Sequence, residues 1–265
     1  MSGISFRSMV LAWLLIAFGL FFPAGATAQD DSQDAAAKTQ EQAATGRKGR
    51  TQLILAASWQ PGFCERRRKK PECASQTADR FDASRFSLHG LWRIRKTYCD
   101  VSAELQLADK KGDWKDLPAL SLSPDTAASL AQKMPGMQSG LDRHEWVKHG
   151  SCSGVDAETY FRTSLLLLEQ LNASAVGTLF ADNIGKPLTE AAIKQAFEQS
   201  FGDGAGDRVK MRCNKDGDRR IITELTIGLN GTVSTENVSL AAMIAGAGKT
   251  KFDCPEGIVD AAGFQ

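Results

Sequence analysis

Six cysteines, Cys64, Cys73, Cys99, Cys152, Cys213 and Cys254, constrain what this chain can fold into more than any other feature. Whether they form bridges depends on the compartment, because disulfides persist only where thiols are oxidised. The N-terminus speaks to that. Arg7 leads into the apolar run MVLAWLLIAFGLFF, Met9 to Phe22, and then PAGATAQ. A positive lead, a short apolar core and small residues at Ala26 and Ala28 predict a secretory signal peptide over 1–28, cut before Gln29. The run is 14 residues long, short of the roughly 20 that span a bilayer, and a retained anchor is the competing reading. Export predicts a secreted or periplasmic protein with no membrane association once the signal is removed. The even cysteine count then predicts disulfides, with free or metal-bound thiols as the alternative. Spacing favours only a short loop between Cys64 and Cys73, and leaves the other pairings open. A bridge from Cys152 would tether the segment just before it.

Residues 29–50, QDDSQDAAAKTQEQAATGRKGR, contain no large apolar side chain and are expected to form a flexible leader. Residues 51–265, about 215 in all, then form a single domain. The run LLLL at 165–168 has Arg162, Glu169 and Gln170 nearby and reads as a core helix, not a span. Arg7 is the only charge in 1–28, so its removal takes the net charge from +1 to 0. No global basic field advertises a nucleic-acid partner.

The segment that Cys152 would tether is HEWVKHGSC, residues 144–152. It holds two of the chain's three histidines and resembles a zinc-protease signature with a changed spacing. A zincin needs its histidines four apart, about 40° on the helical wheel. His144 and His149 are five apart, roughly 140°, too splayed to close on one small ion. On the same wheel His144, Lys148, Glu145 and His149 share one arc, while Trp146 and Val147 point the other way into a core. Two imidazoles, a carboxylate and an ammonium facing one space suit catalysis; a solvated Glu–Lys face is the plainer alternative.

The third histidine lies in FSLHGLWR, residues 86–93, whose alternation before Gly90 predicts a strand ending in a turn. Alone, His89 reads as a structural hydrogen-bonder. Beside two further imidazoles it suits a site that accepts one proton and donates another, as phosphoryl transfer requires. Elsewhere, SLSPDTAASLAQKMPG predicts a helix with Ser123 as N-cap and Pro124 at its first position. AETYFRTSLLLLEQLN and TEAAIKQAFEQSFG also carry helical apolar spacing. RVKMRC and RRIITELTIGL predict a hairpin turning at Asp216-Gly217. The basic loop ERRRKK, 65–70, is either a handle for a phosphate backbone or a solvated loop. Asn172, Asn230 and Asn237 begin N-x-S/T triplets to which no role is given.

Taken together, SLHGLW, HEWVKHGSC and the early LAASWQPGFC resemble the signature segments of the ribonuclease T2 family, from about Thr51 to Cys254. The resemblance implies an α+β fold: a central, mostly antiparallel β-sheet packed with several α-helices and held by three disulfides. It implies the pairs Cys64–Cys73, Cys99–Cys152 and Cys213–Cys254. It implies a metal-independent endoribonuclease acting on single-stranded RNA, with no metal site and no cofactor, and working as a monomer. By the same resemblance His149 takes the proton of the RNA 2′-hydroxyl and His89 protonates the departing 5′-oxygen. His144 would hold the phosphate, and Glu145 and Lys148 would stabilise the transition state. Products would be 2′,3′-cyclic and then 3′-phosphates. The chain departs from the family after Trp92, where Arg93 and Ile94 replace the usual Pro and a frequent acidic residue. Trp92 can stack a base and Arg93 and Arg95 can contact phosphate, so weak base discrimination is expected. The competing functions are a non-catalytic RNA-binding relative and, less favoured, a zinc-dependent hydrolase.

Overall fold

A computed structural model describes residues 49–264. The expected signal peptide and most of the expected leader therefore lie outside the described residues. Gly49 and Arg50, assigned to the leader on composition, lie against the folded domain: the Arg50 N–H donates to the Gly246 carbonyl at 3.2 Å.

In chain order the elements are β1 (Leu53–Ser58), α1 (Gln60–Cys64), α2 (Pro71–Ala74), β2 (Ser87–Arg93), α3 (Ala103–Lys111), α4 (Pro124–Lys133) and α5 (Leu141–Lys148). There follow α6 (Ala157–Asn172), α7 (Ala175–Asp182), β3 (Pro187–Thr189), α8 (Glu190–Phe201), β4 (Val209–Asp216), β5 (Arg219–Leu229), α9 (Leu240–Ala245) and β6 (Glu256–Ile258). The strands make one sheet in the order β2-β1-β5-β6-β3, with β4 also paired to β5. Every strand pair is antiparallel except β5–β6, which meet at Ile221 and Ile258. The fold is α+β.

Helix α6 forms where an Asp side chain can start it: Asp156 accepts from the Thr159 N–H at 2.7 Å, satisfying a donor that has no partner within the helix. Its apolar residues recur at helical spacing, and Tyr160, Phe161, Leu165, Leu167, Leu168 and Leu171 are all buried. They face the sheet side chains Leu53, Leu55, Leu88, Leu91, Leu225 and Ile227 in one core. Each such side chain contributes about 1.5–3 kcal/mol by leaving water, and Leu168→Ala would cost about 2–5 kcal/mol. Among the described residues no single helix is long and apolar enough to cross a membrane; only the bent pair α6–α7 reaches that length and composition, and its apolar residues form this core. The cap of α4 is also local, with Ser123 Oγ accepting from the Thr126 N–H at 3.3 Å.

Bridges join Cys64 to Cys73, Cys99 to Cys152 and Cys213 to Cys254. The second ties the loop after β2 to the turn after α5. Two expectations are corrected. The β4–β5 turn falls one residue later than predicted, because Asp216 pairs with Arg219 and leaves Gly217 and Asp218 as the turn; only Gly217 needs the left-handed region, at φ 56°. Strand β2 does not end at Gly90 but continues to Arg93.

Candidate active site

The site lies where β2 and α5 meet. Ala56 pairs with Gly90 and Ala57 with Leu88, so His89 is the extra residue of a β-bulge. A bulge re-aims its side chain out of the regular alternation. Helix α6 fixes the strand at this point: the Tyr160 hydroxyl accepts from the Leu91 N–H at 3.2 Å and donates to the Leu91 carbonyl at 3.0 Å. Close approach requires glycine at position 90. A Cβ there would overlap the Glu145 carboxyl and sit 2.6 Å from Trp92 Nε1.

From the other side α5 supplies His144 and Glu145. It ends at Lys148, one residue before the regular helix assumed from the sequence. His149 is its C-cap at φ −118°, its N–H still bonded to the Glu145 carbonyl at 3.0 Å. Three of the predicted residues nonetheless converge on Glu145. Trp92 Nε1 donates to Glu145 Oε2 at 2.8 Å, and Glu145 Oε1 lies 3.7 Å from His89 Nε2 and 4.0 Å from His144 Nε2. Trp92 stands between His89 and His149, its ring 5.1 Å from one and 5.5 Å from the other. The His144 and His149 rings are 6.4 Å apart. Lys148 is close enough to act electrostatically on Glu145, His144 and His149.

Residues that the sequence did not single out hold these side chains. Glu224 Oε2, on β5, lies 2.5 Å from His89 Nδ1, and Arg212 Nε lies 3.6 Å from Glu224 Oε1. Asp109, on α3, lies 2.6 Å from His144 Nδ1 and accepts from the Tyr98 hydroxyl at 2.7 Å. Trp114 stacks on His144 at 4.1 Å and donates its indole N–H to the Asp109 carbonyl. One sequence signal was available for Glu224: it is the lone charge in the otherwise uncharged run IITELTIGL.

These surroundings push the three imidazoles apart. Burial pulls the His89 pKa down, but the Glu224 hydrogen bond, with the Glu145 and Glu224 charges, outweighs it, and His89 ends above its ordinary value. His149 has no such carboxylate. Burial, then Lys148, His144 and His89, lower it to about 3, and its buried Nδ1 has no hydrogen-bond partner among the described residues. Burial also lowers His144 against the opposing pull of Asp109. Burial raises the Glu145 carboxyl to about 7. The result is a proton-holding imidazole and a proton-free one on either side of a single indole.

Beside His89 is a cavity of about 180 Å³, lined on its apolar side by Phe63, Leu88, Trp114 and Leu141 and on its polar side by Ser58, Gln60, Arg67, Lys70 and Glu72. Arg67 and Lys70 thus bring the basic loop to the site, with the Lys70 ammonium 5.5 Å from the Trp114 ring. Arg93 is not brought there. Successive residues of a strand face opposite sides, and Arg93 lines a separate groove. No group of three or more His, Cys, Asp and Glu side chains among the described residues has metal-holding geometry.

The fold and site define a disulfide-bridged α+β domain built around a histidine cluster suited to acid–base chemistry. The profile of the Ribonuclease T2 family matches residues 50–245. Ribonuclease I of Escherichia coli is 32% identical over 199 residues, covering 66% of this chain and 74% of that protein. The intracellular ribonuclease LX of Solanum lycopersicum is 30% identical over 176 residues, covering 62% of this chain and 66% of its own. Among solved structures, a mutant of RNase MC1 in complex with 5'-UMP shares the fold, with a TM-score of 0.50 and 18% identity over 80% of this chain and 100% of that one. The chain belongs to the ribonuclease T2 family, and endoribonuclease activity on RNA goes with that membership.

Proposed function

We propose that the chain cleaves single-stranded RNA by internal transesterification, without a metal, through a 2′,3′-cyclic phosphate to a 3′-phosphate. One observation carries this reading: His89 and His149 flank Trp92 with opposite protonation biases. The 2′-oxygen attacks phosphorus and loses its proton to His149 Nε2, the nitrogen left when Nδ1 is buried. The bond from phosphorus to the 5′-oxygen breaks, and His89 Nε2 supplies the proton that the leaving oxygen needs. In the slower second step water attacks the cyclic phosphate with the two roles exchanged. The nucleophile belongs to the substrate, so proximity replaces an activated water.

Charge builds on the nonbridging oxygens, and Lys148 is placed to offset it. Glu145 helps only as the neutral acid. With Oε2 occupied by the Trp92 N–H, a proton on Oε1 can be donated to the phosphorane, whereas a carboxylate there would repel it. His144 holds the phosphate, whose charge draws a second proton onto an imidazole that burial otherwise keeps neutral. The nucleoside leaving from His89 enters the neighbouring cavity, where Phe63 and Trp114 offer aromatic faces that accept any base, in keeping with weak base discrimination. Trp92, committed through its N–H to Glu145, frames the site as well as offering a surface to the base. The enzyme works as a monomer, secreted or periplasmic, since three bridges require an oxidising compartment.

The test is cleavage of a short RNA in excess chelator beside the same strand methylated at every 2′-oxygen. Cutting of the unmethylated strand alone, with cyclic phosphate ends found by mass, is expected. Cutting of both strands, or activity that returns only with zinc, refutes the mechanism. His149→Ala should abolish turnover; a binding protein would keep its RNA affinity and have no turnover to lose.

A further inference from the structure

At the far end of β2, beyond Trp92, lies a groove of about 610 Å³. Gly49, Arg50, Thr51 and Gln52 form one wall and Arg93, Ile94, Arg95 and Lys96 the other. Four cations line it and no carboxylate does. The side chains of Arg50, Arg93, Arg95 and Lys96 make no ion pair or hydrogen bond with any described residue, whereas Arg68, Arg80, Arg212 and Arg219 are all paired with carboxylates. Like charges held together without a counter-charge repel one another, so an anion is the ligand that such a groove stabilises.

The walls are fixed. A Cβ on Gly49 would overlap the Ala247 carbonyl, and the Gln52 N–H bonds to the Leu229 carbonyl at 2.8 Å while its carbonyl accepts from Ile94 at 2.9 Å. Arg95 is held at φ 59°, a left-handed conformation that costs a non-glycine residue free energy and persists where the fold demands it. Two residues past the groove, the Tyr98 N–H bonds to the Lys148 carbonyl at 2.9 Å, so the loop leads straight back to the histidine cluster.

We infer that this groove binds backbone phosphates of the RNA strand on the 5′ side of the cleaved bond. The inference rests on the ribonuclease reading above, which sets the polarity. The leaving nucleoside departs on the His89 side, into the cavity bounded by Phe63 and Trp114. The nucleotide that carries the attacking 2′-hydroxyl lies on the His149–Trp92 side, and the strand upstream of it continues toward Arg93. From His89 to Arg93 is four residues of strand, roughly 13 Å. Arg93 faces away from Trp92, so the RNA rounds the sheet edge formed by β2 and the span is at least about four nucleotides at stacked spacing. The groove thus takes a phosphate a few nucleotides upstream and reads no base.

The experiment compares kcat/KM for a dinucleotide with that for the same dinucleotide extended by a few nucleotides at its 5′ end or at its 3′ end, at low salt. The 5′ extension should raise kcat/KM by roughly tenfold and the 3′ extension should not reproduce that gain. In the variant R50Q/R93Q/R95N/K96Q the 5′ gain should vanish; asparagine is chosen at 95 because it tolerates the left-handed region. Binding of a 2′-methylated strand, followed by anisotropy against salt, should lose about 0.7 of slope for each phosphate released in that variant. Equal gains from both ends, or a 5′ gain and salt slope that survive the four substitutions, overturn the inference. Failure of the ribonuclease reading looks different: no dinucleotide is cut, while the salt-dependent binding of the methylated strand still depends on the four cations.

Discussion

Glu224→Gln separates the charge on His89 from its position. The glutamine amide can still accept from His89 Nδ1, where the carboxylate now lies 2.5 Å away, but it carries no charge. An opposite charge this close raises an imidazole by about 1–3 pH units, which is about 1.4–4 kcal/mol of preference for the imidazolium. Burial, the largest influence on His89 and an opposing one, then prevails. His89 must hold its proton to serve as the acid, so its deprotonation, raised above the ordinary histidine value, shapes the alkaline limb of the kcat/KM profile together with that of Glu145 near 7. The variant moves the His89 step downward by about 1–3 pH units. Well above the wild-type limb the loss approaches roughly 10- to 1000-fold, while the acid limb, set by His149 near 3, stays in place. With only three histidines in the chain, each imidazole can also be titrated directly by NMR. A wild-type alkaline limb that Glu224→Gln leaves unmoved, with an unshifted His89 titration, would refute the assignment of His89 as the acid held charged by Glu224.

Three further outcomes are expected. Glu145 is buried with its pKa raised from 4.5 to about 7, so the folded state holds the proton longer than the unfolded one and stability falls as pH rises across that window, by about 3 kcal/mol. His149, held near 3, contributes an opposite rise over the acidic part of this range, so the readout is the Tm difference between Glu145→Gln and wild type. That difference should change between pH 4.5 and pH 8 while turnover falls; a constant difference counts against a buried neutral acid. Gly90→Ala should cost about 1–3 kcal/mol of stability through overpacking and displace both Glu145 and Trp92, which a fall in kcat with a changed Trp fluorescence would report. Removing the Cys99–Cys152 bridge, which closes a loop of 53 residues, should cost about 4 kcal/mol in urea unfolding, and a loss under about 1 kcal/mol would mean that the loop is already ordered without it.

What the sequence made legible was local. Helix α6 follows the segment AETYFRTSLLLLEQLN residue for residue, because its apolar period lies within that stretch and its cap, Asp156, immediately precedes it. Ser123 and Pro124 likewise marked the start of α4. The residues of the cluster were also readable, since three histidines in two short segments leave few choices. The bulge at His89 was not readable, because a bulge exists only relative to a partner strand, here β1. Glu224 and Asp109 were missed because their pairings with His89 and His144 span 135 and 35 residues. The wheel placed His149 on a helix that ends one residue earlier, yet the residue reaches the site because its N–H still closes the last turn on Glu145. Arg93 lines a groove apart from the cluster because it follows Trp92 on a strand.

The bridge from Cys99 to Cys152 has a consequence in time as well as in space. It fastens the segment that follows His89 to the segment that follows His149, and these are the two halves on which proton donor and proton acceptor reside. While its thiols are reduced, the chain holds those halves in register only by non-covalent contacts, weakened by the carboxyl and imidazoles that must be buried between them. Oxidation of this pair therefore adds a covalent tie between the two halves of the site, one that reducing conditions would remove.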